Sequence, residues 1–128
     1  MRVLAAVVRR GDRYLVGRRP AYKRHGGLWE FPGGKLEPGE SDEAGLRREL
    51  WEELELSLDS IGPRLFSVMD SASGFRIDFI EVTMHGEPRC LEHEDIAWMS
   101  PSQLSVLPLA PSDQAFAQSV LGGGPGVK

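Results

Sequence analysis

Apolar and polar positions along this chain fall into two periods, and the switch between them places most of the elements. Val3-Leu4-Ala5-Ala6-Val7-Val8 is a continuous apolar run, and Tyr14-Leu15-Val16 is a shorter one. Both predict buried strands, over about 2–10 and 14–18, with Gly11-Asp12-Arg13 as the hairpin turn between them. Arg19-Pro20 breaks the second strand, and a polar loop runs to Gly26-Gly27. Leu28-Trp29-Glu30-Phe31 predicts a short strand halted by Pro32-Gly33-Gly34, and Pro38-Gly39 adds another turn. The period then changes. Leu46, Leu50 and Leu54 recur every four residues, with Ala44 and Trp51 beside them, which predicts a helix over about 42–54 capped by Ser41. Three more strands are expected near 63–69, 75–84 and 96–99, the middle one alternating as Ile77-Asp78-Phe79-Ile80-Glu81-Val82. A short turn or helix follows at Pro101-Ser102-Gln103-Leu104. A last helix is expected over about 111–121, opened by Pro111-Ser112-Asp113, and the glycine-rich tail 122–128 is expected to be disordered. Strands on both sides of a central helix, with a helix at the end, predict one α/β domain over 1–121.

Composition adds limits. A chain of 128 residues that is 41% hydrophobic supports one core. No apolar run reaches membrane-spanning length, and strand-like sequence from the first residues leaves no room for a targeting peptide. The single Cys90 excludes an internal disulfide and suits a reducing, cytoplasmic setting. A net charge of −4 argues against duplex nucleic acid as a partner. The distribution of charge is more telling than its sum. Up to Arg24 the chain carries eight basic residues and one acid, whereas nine acids and two arginines lie from Glu37 to Asp59. One arm can meet phosphates directly and the other through metal, although solvated surface accounts for most such charges.

Three carboxylates sharpen this picture. Glu49, Glu52 and Glu53 stand at i, i+3 and i+4, so they share one helix face. Like charges at that spacing repel unless a cation lies between them. Mg²⁺ takes oxygen ligands and bridges carboxylates to substrate phosphates, so a phosphate-handling metal site is the natural reading. Gly45 falls on the same side of the helix, which suggests close approach of the 33–39 loop.

The stretch from Gly34 through Glu40 to Arg48-Glu49-Leu50-Trp51-Glu52-Glu53-Leu54-Glu55-Leu56 resembles the signature box of the Nudix hydrolases. That family cleaves nucleoside diphosphates linked to another moiety. The resemblance implies a single-domain α/β/α sandwich with a mixed sheet and a catalytic loop-helix-loop. It implies Mg²⁺ or Mn²⁺ held by the Gly34 carbonyl and by Glu49, Glu52 and Glu53, with Glu40 and Arg48 steadying the junction. Glu55 stands where the family has glycine, which predicts a shifted helix end. Segments outside the box, including Leu28–Lys35 and Trp98–Pro101, resemble the MutT-type nucleoside triphosphate branch, nearest to bacterial CTP pyrophosphohydrolases.

Through this resemblance Glu92, six residues before Trp98, becomes a ligand of a second metal or the general base, with Glu94 and Asp95 competing for that position. His93 is expected to be a surface histidine, and the three histidines lack zinc spacing. Arg18, Lys35, Phe75 and Asp113 are the expected substrate contacts. Asp113 is either a base-reading acceptor suited to an exocyclic amino group or simply a helix cap. Phe75, with Val3 or Ala5, lines the base or belongs to the core. The implied reaction is NTP + H₂O → NMP + PPi, by a monomer or homodimer acting on (d)CTP or modified nucleotides. The rival readings are 8-oxo-dGTP sanitation, hydrolysis of dinucleoside polyphosphates or ADP-ribose, and a catalytically silent nucleotide- or partner-binding module.

Overall fold

The computed structural model describes residues 1–121; the expected disorder of the tail lies outside them. The elements are β1 (Arg2–Arg10), β2 (Arg13–Arg18), β3 (Trp29–Glu30), β4 (Gly33–Lys35), α1 (Asp42–Leu54), β5 (Ser57–Met69), β6 (Arg76–His85), β7 (Asp95–Met99), α2 (Pro101–Leu104) and α3 (Pro111–Phe116). Among the described residues no helix is long and apolar enough to cross a membrane.

The strands form a mixed sheet in the order β3-β2-β1-β6-β5, with β1 and β6 parallel and the other neighbours antiparallel. β1 explains its own unbroken apolar sequence, because both of its faces are covered. Leu4, Ala6 and Val8 point to one side and pack with Leu46, Leu50 and Leu54 of α1. Ala5 and Val7 point to the other side, toward Phe31, Phe79 and Phe116, where the Phe79 and Phe116 rings stack at 4.5 Å. The result is the three-layered single α/β domain that the sequence predicts.

Four local expectations need revision. Residues 33–35 pair with Val3–Ala5 of β1 as a strand, whereas Pro32-Gly33-Gly34 reads as a turn in isolation. The Leu4 carbonyl lies so close to Gly33 that no Cβ fits there, so this glycine serves close strand approach. β5 begins at Ser57 and runs past Gly62-Pro63 on irregular pairing with β6. The last helix is α-helical only to Phe116 and then widens into a π turn over Ala117–Leu121. Finally, the end of α1 is not displaced: Glu55 itself adopts the left-handed conformation (φ 52°, ψ 35°). Its N–H donates to the Trp51 carbonyl at 3.0 Å, and its side chain pairs with Arg89 at 3.1 Å. These contacts compensate for the strain that glycine would avoid.

Both ends of α1 are held, the first by the sheet and the second by the chain that follows β6. Ser41 Oγ accepts from Ala44 N–H at 3.1 Å as the expected N-cap. Arg2 bonds Asp42 at the helix start (2.8 Å) and the fully buried Asp78 of β6 (2.6 Å). Burial alone would raise Asp78, but Ser67, Arg2 and Arg76 more than offset it, and its pKa is lowered. At the other end, Arg89 and Leu91 N–H groups donate to the carbonyls of Leu54 (2.8 Å) and Glu53 (3.2 Å). Terminal carbonyls of the helix are satisfied by a strap of chain that also carries residues 92–94.

Candidate active site

Arg48 organises the carboxylate end. Its Nε and Nη2 donate to the two Glu40 oxygens at 2.8 and 2.9 Å, Nη2 also reaches the Lys35 carbonyl (3.2 Å), and Nη1 donates to Glu49 Oε2 (2.9 Å). Loop, β4 and helix are thereby joined through one guanidinium, whose flat fork suits this bidentate pairing. Hydrogen bonding from Arg48, with the Glu37 N–H, pushes Glu40 down to about 2, so its charge persists at any working pH. Gly45 has the crowding predicted for it: a Cβ there would lie 2.6 Å from Leu36 Cδ1 and 3.3 Å from Glu40 Oε1.

Glu53 is buried, 6% exposed, and Gly33 N–H donates to it at 3.3 Å. Burial pushes its carboxyl well above the ordinary range, followed by a hydrogen bond to Glu49 and the charges of Glu49 and Glu30. A buried carboxyl crowded by a neighbouring carboxylate is the arrangement a divalent cation resolves. The Glu49 carboxylate also occupies the space that a Cβ on Gly34 would need, so the Gly34 backbone lies against it. An all-oxygen donor set of this kind fits Mg²⁺ or Mn²⁺. Among the described residues no three acidic, histidine or cysteine side chains already converge as a closed cage. Glu52 is half-exposed and turned toward Arg48 at 3.5 Å. Glu92 is exposed on the strap beside the end of α1 and makes no side-chain hydrogen bond or ion pair among the described residues.

A cavity of about 570 Å³ opens beside these groups, within the range of small-molecule sites. It brings together three expected contacts, Lys35, Phe75 and Asp113, with Val3 and Ala5 on its wall. Lys35 Nζ lies 5.2 Å from the Phe75 ring centroid. Arg18 is elsewhere: it is exposed, pairs with Glu94 at 3.2 Å and does not line the cavity. Arg19 lines it instead and donates to Glu30 Oε1 at 2.8 Å.

Asp113 is not a cap. Ala110 occupies the N-cap of α3 without a side-chain bond, and Asp113 lies inside the first turn, buried, accepting from Phe31 N–H at 2.8 Å. Burial pushes its carboxyl up to about 8, with the Glu30 charge adding and the Phe31 N–H opposing. A carboxyl shifted in this direction holds its proton toward the neutral range and can then donate an O–H, in contrast to the acceptor-only group the sequence suggests. Glu30 supplies the anion. Burial alone would raise it, but His93 and Arg19 outweigh that and lower its pKa. His93 is correspondingly not a surface residue, since its side chain is only 5% exposed, with Nε2 3.0 Å from Glu30 Oε2. Sequence reasoning misses Glu30, Arg19 and His93 as one group. The available signal is Gly17, an unexplained glycine inside β2.

The family model for the NUDIX domain matches residues 1–120. The CTP pyrophosphohydrolase of Escherichia coli (strain K12) is 39% identical over 115 residues, covering 87% of this chain and 84% of the relative. An 8-oxo-dGTP diphosphatase of Proteus vulgaris is 52% identical over a shorter stretch of 40 residues, 31% of this chain and 36% of the relative. Among solved structures, a MutT NUDIX hydrolase from Burkholderia pseudomallei superposes with a TM-score of 0.79 at 28% identity, covering 91% of this chain and 94% of its own.

Proposed function

The chain belongs to the Nudix hydrolase family, and from that premise we propose that it hydrolyses nucleoside triphosphates to nucleoside monophosphate and pyrophosphate, with (d)CTP as the preferred class. The observation that carries this reading is a pair of carboxyl groups on the cavity wall: Glu30, held by Arg19 and His93, and the buried Asp113, whose carboxyl is pushed up by burial. A cytosine edge offers an amino donor next to a ring-nitrogen acceptor, which complements an anionic acceptor next to an acid O–H. A uracil edge reverses that order and would leave both protein groups mismatched. Phe75 supplies an apolar face for the base.

The polyphosphate would then extend toward Gly34 and α1. Glu49, Glu52, Glu53 and the Gly34 carbonyl would hold Mg²⁺ or Mn²⁺, which supplies charge neutralisation for the phosphates and acidifies water. Arg48 keeps Glu49 in register with the loop, and Lys35 lies between the base wall and the phosphate path. Either Glu53 or Glu92 takes the proton from the attacking water. Glu53 has the buried position for that task and Glu92 the mobility of an exposed side chain. Water attacks at the β-phosphorus in this reading, so the bond from that phosphorus to the α–β bridging oxygen breaks, NMP departs with the bridging oxygen, and the water oxygen stays in the pyrophosphate.

Hydrolysis of 8-oxo-dGTP is the second reading, favoured by the local identity to the Proteus relative. Steady-state kcat/KM for CTP, dCTP, UTP and 8-oxo-dGTP decides between them. Preference for the cytosine nucleotides supports the main reading, and preference for 8-oxo-dGTP replaces it with the second. The monomer or homodimer state and the cytoplasmic setting belong to the same proposal and are checked by light scattering and fractionation.

A further inference from the structure

The ring of His93 lies in a seat that the sheet builds for it. Gly17 is buried in β2, opposite Glu30 on β3 and Ile96 on β7. A Cβ at Gly17 would lie 2.5 Å from His93 Cγ and 2.6 Å from Cδ2, so the imidazole fills the space any side chain there would need. Glycine inside a strand marks this kind of close approach. The chain on either side of His93 is pinned. Leu91 N–H donates to the Glu53 carbonyl at 3.2 Å, and Glu94 N–H donates to the Arg18 carbonyl at 2.9 Å.

From this seat Nε2 meets Glu30 Oε2 at 3.0 Å, while Arg19 holds Oε1 at 2.8 Å. Each oxygen of Glu30 is thus tied to a different element, and the carboxylate cannot pivot. His93 Nδ1 is buried and has no hydrogen-bond partner among the described residues. Burying an unpaired nitrogen is costly, and an apolar side chain would fill the seat without that cost. Packing alone therefore does not account for a histidine here; the bond at its other nitrogen does.

We propose that His93 is a positioning residue for base selection: seated on Gly17, it fixes the Glu30 carboxylate as an acceptor beside Asp113, so that nucleotides presenting an amino group are taken and those presenting a carbonyl are refused. This rests on the reading of Glu30 and Asp113 as the base end. Without His93, Glu30 keeps only its bond to Arg19 and swings about it, and the acceptor is no longer in place.

The test is kcat and KM for CTP and UTP in wild type, His93→Leu, His93→Gln and Gly17→Ala. Glutamine brings an amide N–H near the position of Nε2, and leucine fills the seat without a donor. Loss of a hydrogen bond to a charged group should raise KM for CTP about tenfold or more in His93→Leu, with kcat changed by no more than about threefold. The CTP-to-UTP preference should collapse in the same variant. His93→Gln should restore most of both, and Gly17→Ala, which expels the ring, should resemble His93→Leu. Unchanged KM and preference in His93→Leu would overturn the proposal, as would His93→Gln behaving like His93→Leu or an equal fall in kcat for both nucleotides. If wild type hydrolyses neither nucleotide, the functional reading fails by itself. The positioning is then read from the His93 Nε2–H cross-peak in an imidazole ¹H–¹⁵N spectrum of the whole protein. A protected peak that shifts in Glu30→Gln supports it, and a peak indifferent to that substitution refutes it.

Discussion

The two ends of the cavity are built in opposite ways. The carboxylate end is local: Gly34, Glu40, Arg48, Glu49, Glu52 and Glu53 lie within twenty residues on β4, one loop and one helix, and Arg48 ties Glu40 to Glu49. The base end is assembled from β1, β3, the chain around Phe75, the strap at His93 and the first turn of α3. Helical spacing juxtaposes the three glutamates and one arginine draws in the adjoining loop, whereas only the finished fold juxtaposes the second set. Chemistry common to a family can therefore be carried by a short segment, while selectivity is distributed over the molecule and is free to vary piece by piece.

The largest expected effect breaks the carboxylate end and leaves the base end alone. Glu53→Gln should lower kcat by several orders of magnitude with the melting curve nearly unchanged, because glutamine keeps the side chain's volume and its carbonyl can still accept from the Gly33 N–H. Near-normal turnover would remove Glu53 from the site. Next is the hub: Arg48→Lys loses the planar fork that spans Glu40 and Glu49, and should cost roughly tenfold to a hundredfold in kcat/KM. KM for CTP should move less than kcat. An equal effect on base preference would mean that the two ends are not separable.

The reverse break is at Asp113: Asp113→Leu removes the donor and should alter nucleotide preference by about tenfold while leaving metal dependence intact, whereas Asp113→Asn keeps a neutral donor. It also carries a pH signature. The folded pKa of Asp113 is raised from 3.8 to about 8, so its contribution to stability is complete below 3.8 and is lost as pH rises through about 8. Denaturant midpoints of the wild type should fall relative to Asp113→Asn across that interval, and CTP binding should weaken above it as the O–H donor disappears. A parallel pH course for the two proteins would show that Asp113 is ionised throughout. The smallest effect is at the imperfect box position. Glu55→Gly relieves the left-handed strain but loses the Arg89 pair, so urea unfolding should change by no more than about 1 kcal/mol, with activity unaltered.

This contrast also explains what the residues disclose before folding. The α1 face, the Ser41 cap and the doubly buried β1 are readable because each depends on periodicity within one element. β4 is not, since Pro32-Gly33-Gly34 signals a turn unless β1 is known to lie alongside. Asp113 reads as a cap from its place after Pro111, and only packing against Phe31 shows it buried one turn further in. His93 reads as surface because nothing in its own neighbourhood is apolar enough to hide it; its seat is made by a missing side chain at Gly17. Arg18 and Arg19 are adjacent, and strand pairing alone decides which reaches the cavity.

The account stands most directly on product formation from CTP and UTP with Mg²⁺ present and after chelation. It predicts CMP and pyrophosphate in equal amounts from CTP, much slower turnover of UTP, and neither product without the metal. Release of inorganic phosphate in place of pyrophosphate, or no turnover of CTP, dCTP, their 5-substituted forms or 8-oxo-dGTP, would contradict it.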